Sequence, residues 1–284
     1  MSAYAEVIGD PIVQSKSPVI HGFWLEQLSI PARYDAVRVS EGDVASYFAD
    51  RRADPDWRGC NVTMPLKRAV MSELDELDPK ARAIGAVNTI FRSPDGALTG
   101  TNTDGDGFCE PLGPILEQSH LFRMARVLGT GGAARAIVWA LARRGFTIVL
   151  AGRDLAKARS LLTELAPEGE HHAIELQHFA EPTDFAFDDR QGCCDLVVNA
   201  SALGMRGQAP LRFDWSHAPP GSIAYDIVTD PVRTAFLRSA SAQGFATVDG
   251  LSMLIGQAAL AFEKFFGSPP PRENDASLRK LLTG

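Results

Sequence analysis

Arg126-Val-Leu-Gly129-Thr-Gly131-Gly132-Ala133-Ala134, then Arg135 to Arg144, Gly145 and Phe146-Thr-Ile-Val-Leu-Ala151, is the stretch that decides the fold of this 284-residue chain. A short apolar strand runs into a glycine turn. An amphipathic helix follows and ends at Gly145, and a second apolar strand comes next. This is one β-α-β unit with G-x-G-x-x-A in its first turn, the context that a bare glycine pattern lacks. Gly129, Gly131, Gly132 and Ala133 are therefore the expected dinucleotide-binding turn. Glycine there lets the backbone approach a pyrophosphate that rests on the helix N-terminus.

The end of the second strand separates the two dinucleotides. An NAD site places Asp or Glu there for the ribose 2′-hydroxyl, whereas a 2′-phosphate calls for a cation. The chain reads Ala151-Gly152-Arg153-Asp154, with Lys157 one helical turn on. Arg153 and Lys157 favour NADP, with NAD the alternative that Gly152 and Asp154 keep open. Asp154 reads as the N-cap of a helix over Leu155 to Leu165. Downstream, Asp195 to Ser201 and Ile223 to Ile227 read as buried parallel strands. Ligands gather at the carboxyl ends of such strands, which places Asn199, Ser201 and Tyr225 at the cofactor cleft, although Tyr225 also reads as a core aromatic. Residues 166–190 read as a polar loop with exposed His171, His172 and His178, and no metal site is expected there.

Upstream the rhythm is again β-α-β-α-β: strands over Tyr4 to Ile8, Ala32 to Val39 and Gly59 to Thr63, with helices over Val19 to Gln27 and Val44 to Arg51. This predicts a largely parallel sheet. In Asn61-Val-Thr63-Met-Pro65-Leu-Lys67, Pro65 suits the first position of a helix, which sets Lys67 in its first turn. A cation there faces the positive end of the helix dipole, an electrostatically poor place unless chemistry needs it; a solvated surface lysine is the alternative. Ser15 and Ser17 form a hydroxyl pair before a helix, suited to a polyhydroxylated or carboxylate ligand, where capping needs only one. Asn88 lies in an apolar strand, Ala86 to Phe91, and calls for hydrogen-bond partners. Asp104 opens a turn or helix start. Gln257 falls in an apolar helix running to about Phe266, so its amide is buried.

A net charge of −7 and pI near 5.4 argue against binding nucleic acid by phosphate neutralisation. The N-terminus shows no signal-peptide pattern, no apolar run is long enough for a membrane span, and the four cysteines have no paired spacing. The expectation is a cytoplasmic protein with reduced thiols and no membrane partner.

Seven stretches in order resemble the shikimate dehydrogenase family over nearly the whole chain: Ser15-Lys-Ser17-Pro18-x-x-His21, Asn61-Val-Thr63-x-Pro65-x-Lys67, Gly85-Ala-Val-Asn88-Thr89, Asn102-Thr-Asp104-Gly105, Gly129-x-Gly131-Gly132-Ala133, Asn199-Ala-Ser201 and Asp249-Gly250-Leu-x-Met253-x-x-x-Gln257. The resemblance implies an α/β protein of two domains: a substrate-binding domain over 1–103 and 247–284 with a mostly parallel sheet, and a Rossmann NAD(P)-binding domain over 104–246. It implies Lys67 and Asp104 as the catalytic pair. Ser15, Ser17, Thr63, Asn88, Tyr225 and Gln257 would bind substrate, and Gly250 and Met253 would join the cofactor residues. Gln14, Asp106 and Gly152 depart from the commonest family pattern.

The implied activity is NADPH-dependent reduction of 3-dehydroshikimate to shikimate in aromatic amino-acid biosynthesis, by a monomer or homodimer. An NAD-linked quinate/shikimate or aminoshikimate dehydrogenase is the alternative. A non-catalytic dinucleotide sensor is a remote one, because the lysine and aspartate are both present.

Overall fold

The computed structural model describes residues 2–188 and 190–284. The chain divides into two compact units, Met1–Asp104 with Ile255–Gly284, and Gly105–Leu254.

In the first unit β1 (Tyr4–Gly9), α1 (Ser17–Gln27), β2 (Arg33–Arg38), α2 (Val44–Ala53) and β3 (Trp57–Val62) alternate as the rhythm predicts. They are followed by β4 (Glu76–Leu77), α3 (Pro79–Ile84), β5 (Thr89–Arg92) and β6 (Leu98–Thr101). The sheet order is β2-β1-β3-β5-β6-β4. Pairing is parallel over β2-β1-β3 and antiparallel at β3-β5 and β5-β6, because β5 and β6 are joined by the tight Pro94-Asp95-Gly96 turn, with no crossover helix between them. The two-residue strand β4 goes beyond the sequence expectation; it is too short to show a pattern. β5 begins at Thr89, so Asn88 precedes the strand and is not inside it.

The second unit holds α4 (Asp104–Cys109), which starts on the last residue of the first, then α5 (Gly113–Leu116), β7 (Phe122–Leu128), α6 (Gly132–Ala142), β8 (Thr147–Gly152), α7 (Leu155–Leu165), β9 (His172–Glu175), β10 (Cys193–Asn199), β11 (Ile223–Asp226), α8 (Ala235–Ala242) and β12 (Ala246–Val248). Its sheet is ordered β12-β11-β10-β7-β8-β9 with every pair parallel, the doubly wound arrangement. β9 corrects the reading of residues 166–190 as loop. It is an edge strand with both ends exposed, so it lacks the apolar signature of the central strands. His171 is likewise half-buried rather than exposed, with Nδ1 accepting from the Ile148 N–H at 3.0 Å.

The chain closes with α9 (Gly250–Phe266) and α10 (Asp275–Thr283). The second crossing between units falls within α9, at Leu254/Ile255 instead of 246/247. β12 pairs with β11, and Met253 at the start of α9 is buried in the second unit's core, which carries the boundary into the helix.

The C-terminal part of α9 closes an aromatic cage in the first unit. His21 of α1 is fully buried, its ring stacked on Tyr34 at 3.9 Å and an interplanar angle of 3°, with Trp24, Phe262 and Phe265 around it. Burial pushes the imidazole pKa down to about 3, outweighing the neighbouring Asn61 amide. The unfolded chain takes up this proton near pH 6.5 while the folded chain refuses it, so His21 adds a stability that is complete above pH 6.5 and drains away as pH falls toward 3. The stability difference between wild type and His21→Phe, measured by denaturant melts from pH 7 to pH 4, should therefore change by up to about 1.4 kcal/mol per pH unit below pH 6. Parallel curves would show that the buried imidazole is not the group responsible.

Candidate active site

Adjacent strands of the first sheet bring the polar residues to one edge. Ile8 pairs with Val62, Asn61 with Thr89, and Thr89 with Thr101. The loops leaving β1, β3 and β6 and the segment entering β5 therefore emerge together, carrying Ser15 and Ser17, Thr63 and Lys67, Asp104, and Asn88. At this edge Lys67 Nζ lies 2.5 Å from Asp104 Oδ2, with the lysine side chain 15% exposed and the aspartate 6%. The carboxylate is thus almost wholly buried and the lysine side chain slightly less so.

Lys67 is not in an α-helix, contrary to the sequence reading. Met64–Arg68 is a turn, the Met64–Pro65 peptide is cis, and the first helical residues form a 3₁₀ turn, Ala69–Glu73. The reason is visible in the hydrogen bonds. The Lys67 carbonyl accepts the Val87 N–H at 2.8 Å, so it is taken by a neighbouring segment instead of by its own helix, while fully buried Leu66 anchors the turn in the core. Lys67 therefore does not face a helix dipole; its ammonium faces the Asp104 carboxylate instead.

Asp104 is fixed on its other oxygen. Asn88 Nδ2 donates to Asp104 Oδ1 at 2.8 Å and to Thr103 Oγ1 at 2.9 Å, and approaches Gln257 Oε1 at 3.3 Å. The fully buried Asn102 braces the turn, donating to the Ala86 carbonyl at 2.9 Å and accepting the Asp104 N–H at 3.1 Å. Gln257 is buried at 7% exposure, as its apolar helix requires. Ser17 is buried as the first residue of α1, and no described residue takes up its hydroxyl; Ser15 Oγ accepts the Ser17 N–H at 3.3 Å. Neither serine is the N-cap, which is Lys16. Thr63 is half-buried beside the lysine turn. The structure thus gathers Lys67, Asp104, Asn88 and Gln257 in one bonded cluster and sets Ser15, Ser17 and Thr63 on loops at the same edge. Thr103 joins the cluster beyond the residues expected; a lone threonine in a polar run carries no distinguishing signal.

In the second unit the glycine turn leaves β7 for α6. Gly129 has φ of 130°, and a Cβ there would lie 2.6 Å from the Ala200 carbonyl oxygen, so the turn closes against the segment after β10 only with glycine. Gly131 is exposed with open space where a Cβ would be, and α6 begins at Gly132 and Ala133 with no side-chain cap. Its first N–H groups therefore point out unsatisfied beside a backbone that can be closely approached, which fits a pyrophosphate. Arg153 and Lys157 are exposed, and neither charged group pairs with any described residue. Asp154 caps α7, accepting the Lys157 N–H at 3.0 Å, so its carboxylate is engaged away from a ribose. A Cβ at Gly152 would meet Thr130 Cγ2 at 2.8 Å, so glycine fits closely beside Thr130.

Three of the expected ligand residues serve the unit itself. Asn199 is fully buried, donating to the Leu203 carbonyl and to Asp226 Oδ1, each at 2.9 Å, and its Oδ1 accepts the Ser201 hydroxyl at 2.7 Å. Their side chains thus shape the loop against the glycine turn and leave only backbone for a ligand. Met253 is packed in the core. Gly250 is required because a Cβ would fall 2.4 Å from the Val228 carbonyl oxygen. Tyr225 is fully buried and stacked on Phe108 at 4.5 Å, so it is a core aromatic of the second unit. Its hydroxyl has no partner among the described residues, and burial pushes the phenol well above its usual range. Among the described residues no helix is long and apolar enough to cross a membrane.

Residues 7–90 match the family model described as the shikimate dehydrogenase substrate binding domain, and residues 250–274 match the shikimate 5'-dehydrogenase C-terminal domain. A shikimate dehydrogenase (NADP(+)) of Sphingopyxis alaskensis is 50% identical over 283 residues, covering 99% of this chain and 97% of that protein. The shikimate 5-dehydrogenase of Thermus thermophilus, solved with NADP(H) and shikimate, superposes with a TM-score of 0.80 at 32% identity over 99% of both chains. A 5-ketofructose reductase of Gluconobacter, solved without ligand, gives 0.81 at 28% identity, again over 99% of both. With half its residues shared along the full length of such a relative, the chain belongs to the shikimate dehydrogenase family.

Proposed function

We propose that this chain is an NADPH-dependent shikimate dehydrogenase, reducing the C3 carbonyl of 3-dehydroshikimate to the alcohol of shikimate. The observation that carries the reading is the 2.5 Å contact between Lys67 and Asp104, held at a sheet edge lined by hydroxyls and amides. A substrate with several hydroxyls and a carboxylate needs such a surface, with Ser15, Ser17, Thr63, Asn88 and Gln257 as its binding groups.

The turn at Gly129, Gly131 and Gly132 would hold NADPH, which would supply the hydride. The protein's part is the proton. Lys67 Nζ gives a proton to the oxygen of the former carbonyl, completing the O–H bond, and its charge stabilises that oxygen as electron density gathers there. Asp104 holds the ammonium in place until transfer, and Lys67 regains its proton through its solvent-exposed side. In the oxidation direction Lys67 is the acceptor. Arg153 and Lys157 would hold the 2′-phosphate, and the capping role of Asp154 removes the acid that an NAD ribose would want. The family resemblance supports a cytoplasmic protein acting as a monomer or homodimer.

Lys67→Ala should lower kcat by about 10²–10⁴-fold, the usual contribution of a positioned proton donor, with NADPH binding unchanged in a fluorescence titration. Turnover near that of wild type would remove Lys67 from the chemistry. Arg153→Ala should raise KM for NADPH by about 10–100-fold through the loss of charge-assisted bonds, and leave KM for NADH nearly unaltered. Equal effects on the two cofactors would place Arg153 elsewhere than at the 2′-phosphate.

A further inference from the structure

Behind the Lys67–Asp104 pair a line of buried polar groups runs across the first sheet. Asn61 of β3 pairs in register with Thr89 of β5, and Tyr34 stands on β2, beyond β1. The Tyr34 hydroxyl donates to Asn61 Oδ1 at 2.6 Å, Asn61 Nδ2 donates to Thr89 Oγ1 at 3.1 Å, and the Thr89 hydroxyl donates to Asn88 Oδ1 at 2.9 Å. Asn88 Nδ2 then donates to Asp104 Oδ1 at 2.8 Å. Every bond in this line has the same sense, hydrogen pointing toward the carboxylate.

We infer that Tyr34, Asn61 and Thr89 are positioning residues that fix the Asp104 carboxylate by setting the orientation of the Asn88 amide. The inference rests on reading Lys67 and Asp104 as the catalytic pair. An amide can turn over, and only one orientation presents N–H to Asp104. Asn88 is held in it because its oxygen accepts the Thr103 N–H at 2.8 Å, the Thr89 hydroxyl at 2.9 Å and the Thr103 hydroxyl at 3.2 Å. The Thr89 hydroxyl accepts from Asn61 Nδ2 and keeps its hydrogen for Asn88, and Asn61 presents its nitrogen to Thr89 because its oxygen accepts from Tyr34. The stack of His21 on the Tyr34 ring holds the first member. Tyr34, Asn61, Thr89 and Asn88 are 6%, 5%, 0% and 2% exposed, so no water can replace a missing partner. Strands of one sheet would pack more cheaply with apolar groups at these positions, since buried polar chains cost desolvation. Their orientation toward one carboxylate is what they add.

Thr89→Val and Tyr34→Phe test this, since each removes one donor with little change of shape. Steady-state shikimate oxidation with NADP should show kcat reduced about tenfold for Thr89→Val and about threefold for Tyr34→Phe. Thr89→Ser should restore kcat. Tyr47→Phe is the matched control: its equally buried hydroxyl donates to Glu6 at 2.6 Å, so it should lower Tm comparably and leave kcat unchanged. If Thr89→Val and Tyr34→Phe keep kcat within about twofold of wild type, or lose no more than Tyr47→Phe, the line is structural only and the inference fails. Asp104→Asn separates the two readings. An active Asp104→Asn enzyme overturns the catalytic pair itself, whereas an inactive one beside an unaffected Thr89→Val enzyme overturns the relay alone.

Discussion

The contact between Lys67 and Asp104 is the constraint on which the rest of the first unit depends. A carboxylate that is 6% exposed has lost most of its hydration, and it is held by one cation and by the Asn88 N–H aimed at its second oxygen. Removing either partner would leave an uncompensated charge in a poorly solvated place, which is far costlier than the pair's own stabilisation is large. The surrounding architecture can be read as meeting that demand. Asn102 braces the turn, Asn88 supplies the second donor, and the captured Lys67 carbonyl holds the lysine in a turn that a regular helix would have unwound.

The second unit answers a different requirement, that of holding a flexible, highly charged molecule by its backbone-facing phosphates. Its parallel sheet places the carboxyl ends of β7 and β10 side by side at the point where the strand order reverses. The glycine turn and the Asn199–Ser201 segment meet there so closely that Gly129 admits no side chain. Polar side chains in this region bind one another and so fix the loop, while unpaired cations at Arg153 and Lys157 remain for a ligand.

Much of this is legible in the sequence because it is written in local patterns. The β-α-β unit, the glycine turn, the Asp154 cap and the catalytic candidates all follow from spacing or from motif resemblance. What escapes depends on contacts distant in sequence. The helix expected at Pro65 fails because Val87, twenty residues away by number, claims the Lys67 carbonyl. β9 is invisible because edge strands lack an apolar run, and the burial of Met253 shifts the unit boundary into α9. Asn199, Ser201 and Met253 stand out in the sequence but carry internal duties, a distinction that only hydrogen-bond partners and packing reveal. Tyr34 and Thr89 draw no attention as functional residues because a strand tyrosine and a strand threonine are ordinary β formers.

A protein named 5-ketofructose reductase shares this fold. The most direct measurement is therefore a comparison of kcat/KM for shikimate and quinate, each with NADP and with NAD, alongside reduction of 5-ketofructose. Shikimate with NADP should exceed every other combination by at least about tenfold, the discrimination expected where buried polar groups must each find a partner. Preferential NAD-linked quinate oxidation, or turnover of 5-ketofructose in place of shikimate, would contradict it.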